Sequence, residues 1–318
     1  MTHDEVGNLR MVISVSIESV LSVCEDAYSV RTIKGYRSDL EIFKRWCTSK
    51  RCCWVPVAPR VLSAFIDEQI SEYCFSTVKR RLYAIAFAHR MSDLADPTNH
   101  RIVQLAVRRA ARLKTRRPKQ VRGLTKEILS EIVAACPNTL SGLRDAALIT
   151  VGYDTLCRSY ELAMMEVRHV TLEGDESARV LIPRSKSDVA GDGRIAYLSP
   201  ATARHLVRWL AQSKLQSGPL FRALHLMRPY DCALETSSIR RIVKRASKRA
   251  GFDAMMANEL SGHSMRVGAA QDMMTAGFDT LAIMQAGGWH SADVVLRYVE
   301  NAAMRELHAR RWQLLFHD

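Results

Sequence analysis

Between Arg31 and Cys47, apolar side chains recur at Ile33, Tyr36, Leu40, Phe43 and Cys47, with Lys34, Arg37, Asp39 and Lys44 between them. That spacing predicts an amphipathic helix with one buried face and the charged residues outside. Pro56 and Pro59 interrupt the chain, and Val61, Leu62, Phe65, Ile66 and Ile70 mark a second helix ending near Tyr73. Ser76 or Thr77 is expected to cap a third, with Val78, Leu82 and Ile85 inward and Lys79, Arg80, Tyr83 and Arg90 on or near its exposed side. After Asp96-Pro97 a fourth turns Val103, Ala106, Val107 and Ala110 inward and Arg108, Arg109 and Arg112 outward.

Beyond residue 120 the patterns predict helices at Leu124 to Ala135 and Leu143 to Leu156, with Met164 and Met165 as core filler. Arg179 to Pro183, a loop holding Gly191 and Gly193, and Arg194 to Leu198 predict a β-hairpin, the one strong strand signal. A helix over Ala201 to Gln212 is followed by a stretch to about Leu234 in which no periodicity is legible. Ser237 or Ser238 is expected to cap the next helix, which aligns Arg240, Arg241, Lys244, Arg245, Lys248 and Arg249 along one side. Helices around Ser264 to Ala276, Thr280 to Gly287 and Ser291 to Glu300 follow, then an amphipathic tail from Ala302 to Asp318.

Charge changes the picture. The 318 residues carry 46 Lys and Arg against 33 Asp and Glu, a formal net charge of +13. No acidic residue lies between Asp96 and Glu127, a span that holds Arg108, Arg109, Arg112, Lys114, Arg116 and Arg117. Two separated basic clusters point to a polyanion, with double-stranded DNA foremost. The basic, Pro-containing segment Lys114 to Arg122 reads as a linker, dividing the chain into a helical DNA-binding domain, 1–115, and a second domain, 116–318.

The N-terminus is polar, and no apolar run approaches the ~18 residues of a membrane span, so a soluble, cytosolic protein without a membrane partner is expected. Eight cysteines lack C-x-x-C spacing, which argues for reduced thiols and against a zinc site. There is no G-x-x-x-x-G-K-S/T loop and no H-E-x-x-H, and no cofactor, metal or nucleotide is expected.

The candidate chemistry lies in the second domain. Arg158 and Glu161 stand three apart, Lys186 sits just after the first predicted strand, His263 and Arg266 stand three apart, and Trp289 precedes Tyr298 by nine positions. Cleaving a DNA phosphodiester calls for charge stabilisation on the non-bridging oxygens, a nucleophile and a proton donor for the leaving oxygen. Arg158 and Arg266 suit the first need, because a guanidinium fork grips phosphate at two points. Glu161 can orient Arg158 or a nearby imidazole, Lys186 can reach the leaving oxygen from a turn, and the Trp289 indole can donate to a phosphate oxygen. A phenol titrates near ~10, so Tyr298 needs its proton removed or stabilised during attack. Each fragment also has an ordinary reading: a surface ion pair, a solvated lysine, a core tryptophan, a half-buried helix tyrosine.

Taken in order, these residues resemble the tyrosine recombinases, the phage integrase family. The longest match runs through Ser261-Gly-His-Ser-Met-Arg-Val-Gly-Ala-Ala270 and continues in Ile283-Met-Gln-Ala-Gly-Gly-Trp289. It covers the chain well from about Leu143 to Asn301 and more loosely from Arg31 onward. The resemblance implies Tyr298 as nucleophile, Arg158 and Arg266 on the scissile phosphate, Lys186 as general acid, His263 as acid/base partner, Trp289 as a phosphate donor and Glu161 as support. Many family members carry histidine at the position of Trp289, and His290 is one position off that spacing. The resemblance also implies a mainly α fold: an N-terminal helical core-binding domain and a mostly α catalytic domain with a small antiparallel sheet, together forming a clamp around DNA.

The expectation is a site-specific DNA recombinase that works through a 3′-phosphotyrosine at inverted-repeat sites. It would assemble as a homotetramer, with Leu307, Trp312, Leu314 and Leu315 of the tail docking on a neighbour. Lys79, Arg80, Arg108, Arg112, Lys114, Arg240, Arg241 and Lys244 are candidate DNA contacts, with Arg80 reading bases in the major groove. A type IB topoisomerase-like nicking enzyme and a catalytically inactive DNA-binding regulator are the rival readings.

Overall fold

The computed structural model describes residues 16–24, 26–114, 120–183, 193–226, 228–299, 308, 311–313 and 315. The chain divides into two compact units, Met1–Pro118 and Lys119–Asp318.

The first unit is built of helices, with no strand among its described residues: α1 Ile17–Ser22, α2 Val30–Ser49, α3 Pro59–Glu72, α4 Phe75–Met91 and α5 Arg101–Leu113. The α2 helix begins where the Ser29 hydroxyl accepts the Thr32 N–H at 3.1 Å, and α3 begins on Pro59, whose fixed φ suits a first turn. Packing of α2 on α4 and of α3 on α5 buries one core through Leu40, Phe43, Leu62, Phe65, Ile66, Val78, Ile85, Val103 and Ala106.

Two expectations are corrected in this unit. The N-cap of α4 is Cys74, so Ser76 and Thr77 fall inside the first turn. Asp39, placed by the pattern among exposed polar positions, is fully buried, because the α4 arginines approach it from the neighbouring helix.

The second unit begins with α6 Lys126–Ala134, α7 Leu140–Asp154 and α8 Ser159–Met164. Then come the strands β1 Val170–Leu172, β2 Ala178–Ile182 and β3 Arg194–Leu198, and α9 Pro200–Ser213. A second pair, β4 Arg222–His225 and β5 Arg228–Ala233, leads to α10 Thr236–Arg249, α11 Ala254–Glu259, α12 Ser264–Thr275, α13 Thr280–Gly287 and α14 Ala292–Val299. Helix α7 is the central rod: α6, α9, α10 and α12 pack around it, and its run from Arg144 to Gly152 is buried at every position. A helix enclosed on all sides shows no amphipathic stripe, and α7 is legible only from its Leu, Ile and Ala content.

The predicted hairpin is present as β2 and β3, antiparallel, with Val180 opposite Ala196 and Ile182 opposite Arg194. Strand β1 joins its other edge, making a three-stranded antiparallel sheet. The stretch without legible periodicity holds the β4–β5 hairpin. Its β5 strand is exposed at nearly every position, so it has no inside-outside alternation to read. The N-cap of α10 is Glu235, which displaces the expected Ser237 or Ser238.

Candidate active site

Three chain segments meet at the C-terminal end of α7. Residue Arg158 is the N-cap of α8, and the buried Glu161 on that helix's first turn reaches back to it. Its carboxylate accepts the Arg158 backbone N–H at 2.8 Å and the Arg158 Nη1 at 2.7 Å, and the Tyr160 hydroxyl donates to it at 3.2 Å. One carboxylate thus fixes both the backbone and the guanidinium of Arg158, and one fork nitrogen is spent on that task.

The loop before α12 supplies His263 as N-cap, with Arg266 one turn inside. The small residues of this segment serve packing within the protein: a Cβ on Gly262 would lie 2.3 Å from Ser159 Oγ, and one on Gly268 would lie 1.9 Å from Leu124 O. These contacts seat α12 against the Arg158 turn and the chain entering α6.

Arg266 is fully buried. Its Nη1 donates to Leu156 O and, at 2.8 Å, to Gly287 O, while its Cζ stacks 3.9 Å above the Trp289 ring. The Arg266 Nε and Nη2 and the Trp289 Nε1 find no hydrogen-bond acceptor among the described residues. Buried donors left unmet cost about 1–3 kcal/mol each, and native proteins rarely tolerate a cluster of them without a function. Burial and the Arg158 charge lower the Arg266 pKa to about 10, so it stays cationic at neutral pH.

Tyr298 lies near the end of α14, where Gln271 Nε2 donates to its carbonyl at 3.0 Å. Its hydroxyl is 2.8 Å from His263 Nε2, and its ring sits 5.6 Å from that of Trp289, centroid to centroid. Burial first, and then the charges of Arg266 and Arg158, lower the His263 pKa to about 4. The imidazole is therefore neutral at physiological pH and can accept the phenolic proton. Leu156, Ala269, Ala270, Ile283, Val295 and Val299 form a buried apolar cluster that also takes in Trp289 and packs against Tyr298.

Six of the seven expected residues, Arg158, Glu161, His263, Arg266, Trp289 and Tyr298, thus converge in one place. Lys186 lies outside the described residues. His290 is exposed on the turn after Trp289. Among the described residues, no group of three His, Cys, Asp or Glu side chains is placed to hold a metal ion. The arrangement combines a phenol, a neutral base at its oxygen, and unmet N–H donors beside a second arginine, which suits attack on an anionic, oxygen-rich centre.

Arg194 at the start of β3 was missed as a site residue: it donates to Thr155 O at 2.6 Å and to Ala286 O at 2.9 Å. A signal was available, since strand alternation gives Arg194 the inward parity of Ala196 and Leu198, an unusual place for a charge.

The candidate DNA contacts divide. Lys79, Arg108 and Arg112 are exposed, Lys79 with its Nζ 5.7 Å from the Tyr83 ring centroid, and Lys114 reaches Ser71 O at 3.4 Å. Arg80 is tied through its Nε and Nη2, which donate in parallel to the buried Asp39, both at 2.8 Å, while its side chain keeps 61% exposure. In α10, Arg240 and Arg241 are exposed, and Lys244 is held by Asn258 at 3.2 Å. Arg245 and Arg249 turn to the buried Asp145, at 2.8 and 3.1 Å, so part of the expected basic face serves the core.

Comparison with known proteins bears on the same segments. Residues 122–305 match the sequence model of the phage integrase family. The chain is 27% identical to the recombinase Cre of Escherichia phage P1 over 293 residues, covering 86% of this chain and 85% of that one. It is 28% identical to an integrase/recombinase XerD homolog of Selenomonas ruminantium, covering 87% and 83%. Among solved structures, XerH site-specific recombinase bound to a palindromic difH substrate, a post-cleavage complex, superposes with a TM-score of 0.66 at 18% identity, covering 93% of this chain and 84% of that one. A lambda integrase dimer bound to a core site gives a TM-score of 0.59 at 13% identity, covering 89% and 75%. The two structural likenesses concern the fold.

Proposed function

The chain belongs to the phage integrase family and is a tyrosine site-specific DNA recombinase, and from that premise we propose that Tyr298 attacks the scissile phosphodiester and stores its energy as a 3′-phosphotyrosine. The observation that carries the reading is the 2.8 Å contact between Tyr298 and a neutral His263, beside the unmet donors of Arg266 and Trp289.

In this reading His263 takes the phenolic proton as the oxygen attacks phosphorus. Arg266, Arg158 and the Trp289 indole match the charge that grows on the non-bridging oxygens, and Glu161 holds Arg158 in place. Lys186 delivers the proton to the departing 5′ oxygen. A 5′-hydroxyl from a second strand then attacks the phosphotyrosine and the steps reverse, so bond energy is conserved without a nucleotide.

Lys79, Arg108 and Arg112 of the helical unit, and Arg240 and Arg241 of the second unit, meet phosphates of the duplex. Two protomers bind an inverted repeat, and two such sites pair in a tetramer. Trp312 and Leu315 of the tail are exposed and offer apolar surface to a neighbouring protomer, while Leu307 and Leu314 lie outside the described residues.

The test is to capture DNA covalently attached to the protein from a random-sequence library, sequence it, and place two copies of the recovered site on one plasmid. Exchange between the two copies supports the proposal. Relaxation of supercoils without exchange supports a topoisomerase instead, and binding with no covalent capture supports an inactive DNA-binding protein.

A further inference from the structure

Two arginines, not one, tie the helix ends that frame the site. Arg266 Nη1 bridges Leu156 O and Gly287 O. Arg194 bridges the carbonyls one residue earlier on each side, its Nη2 on Thr155 O at 2.6 Å and its Nη1 on Ala286 O at 2.9 Å. Both pairs of acceptors belong to the C-terminal ends of α7 and α13, where the last carbonyls have no partner within their own helix and the negative end of the helix dipole favours a cation.

The fit around Arg194 is close. Gly288, the C-cap of α13, has left-handed φ of +63°, and a Cβ there would come within 3.0 Å of Arg194 Cδ and 3.1 Å of its Nε. The next residue is Trp289, on whose ring Arg266 stacks. A shift of α13's end relative to α7 would therefore carry both the Arg266 fork and the Trp289 indole away from their places. Arg194 also lies opposite the buried Ile182 in the β2–β3 ladder, so its own position is set by the sheet.

We propose that Arg194 is a positioning residue for strand cleavage: it fixes the separation of the α7 and α13 ends, and through them the phosphate-facing donors of Arg266 and Trp289. It touches no substrate. The inference rests on the catalytic reading above.

The experiment uses the full chain and a duplex carrying the captured cleavage site, with either oxygen or sulfur as the bridging 5′ atom at the scissile phosphate. A thiolate leaves without needing a proton, so sulfur relieves the loss of a proton donor and does nothing for a misplaced phosphate clamp. Arg194→Gln is expected to bind the duplex as the wild type does and to form adduct ~10²-fold more slowly on both substrates, the scale of a displacement of about 1 Å. Arg194→Lys, which keeps the charge and can reach one of the two carbonyls, is expected to fall between and serves if the glutamine variant does not fold. Lys186→Ala, by contrast, is expected to be restored by sulfur.

Wild-type rates for Arg194→Gln and Arg194→Lys, or restoration of the slowed variant by sulfur, would overturn the inference. Should the wild type itself form no adduct on either duplex, the catalytic reading fails, a different outcome from either of these.

Discussion

His263 Nε2 and the Tyr298 hydroxyl oxygen are 2.8 Å apart, and the imidazole is held neutral by burial and by two arginines. An unfolded imidazole takes its proton near about 6.5, and the folded one only near 4. Between those values the unfolded chain binds more protons. The stability contributed by neutral His263 is therefore complete above about 6.5 and is lost as pH falls toward 4. Proton NMR of the protein without DNA should show the His263 ring unchanged as pH passes through 6.5. His263→Gln should flatten the dependence of melting temperature on pH in that window, and should slow adduct formation by ~10²-fold to 10⁴-fold.

Arg158 and Glu161 form a pair whose carboxylate is wholly buried while the guanidinium side chain keeps 27% exposure. Arg158→Ala leaves that carboxylate without its charged donor, at a cost of about 1–3 kcal/mol. Denaturant unfolding should register the loss together with loss of cleavage. Glu161→Gln keeps a group able to accept the Arg158 N–H, and should lose less stability while loosening the fork.

The fold was legible where one helix face was wet. Helices α2, α3, α5 and α13 follow their apolar stripes to within a few residues. What the stripe cannot encode was lost. Six-residue helices such as α1, α8 and α11 span too few turns to show a period, and β5 has no buried face.

The site was legible as residue types in order, because catalysis restricts which side chains serve. Its supports were not. Asp39 and Asp145 look like surface charges until the partner arrives from a distant element, Arg80 for Asp39 and Arg245 and Arg249 for Asp145; Arg194 has inward strand parity, but its carbonyl partners at the α7 and α13 ends are not legible.

Arg80 illustrates the consequence. With its Nε and Nη2 on Asp39, its removal strands a buried carboxylate whose other charged partner among the described residues is Arg81 at 3.9 Å. Arg80→Ala should cost about 1–3 kcal/mol in thermal or denaturant unfolding of the protein alone. An unchanged stability would mean that Arg80 is free to serve DNA alone.

Binding should be strongly salt-dependent, because lysine and arginine displace counterions from phosphates. Removing one phosphate contact, as in Arg108→Ala, should lower the slope of log affinity against log salt by about one and weaken all sequences alike. A sequence-dependent loss would make Arg108 a base contact.

The most direct measurement is covalent capture on a nicked duplex by wild type and Tyr298→Phe side by side. The substitution removes only the attacking oxygen and its contact to His263, so Tyr298→Phe should bind the duplex with wild-type affinity and yield no protein–DNA adduct, while the wild type yields one that protease digestion releases. An adduct persisting in Tyr298→Phe would contradict the account and place the nucleophile elsewhere.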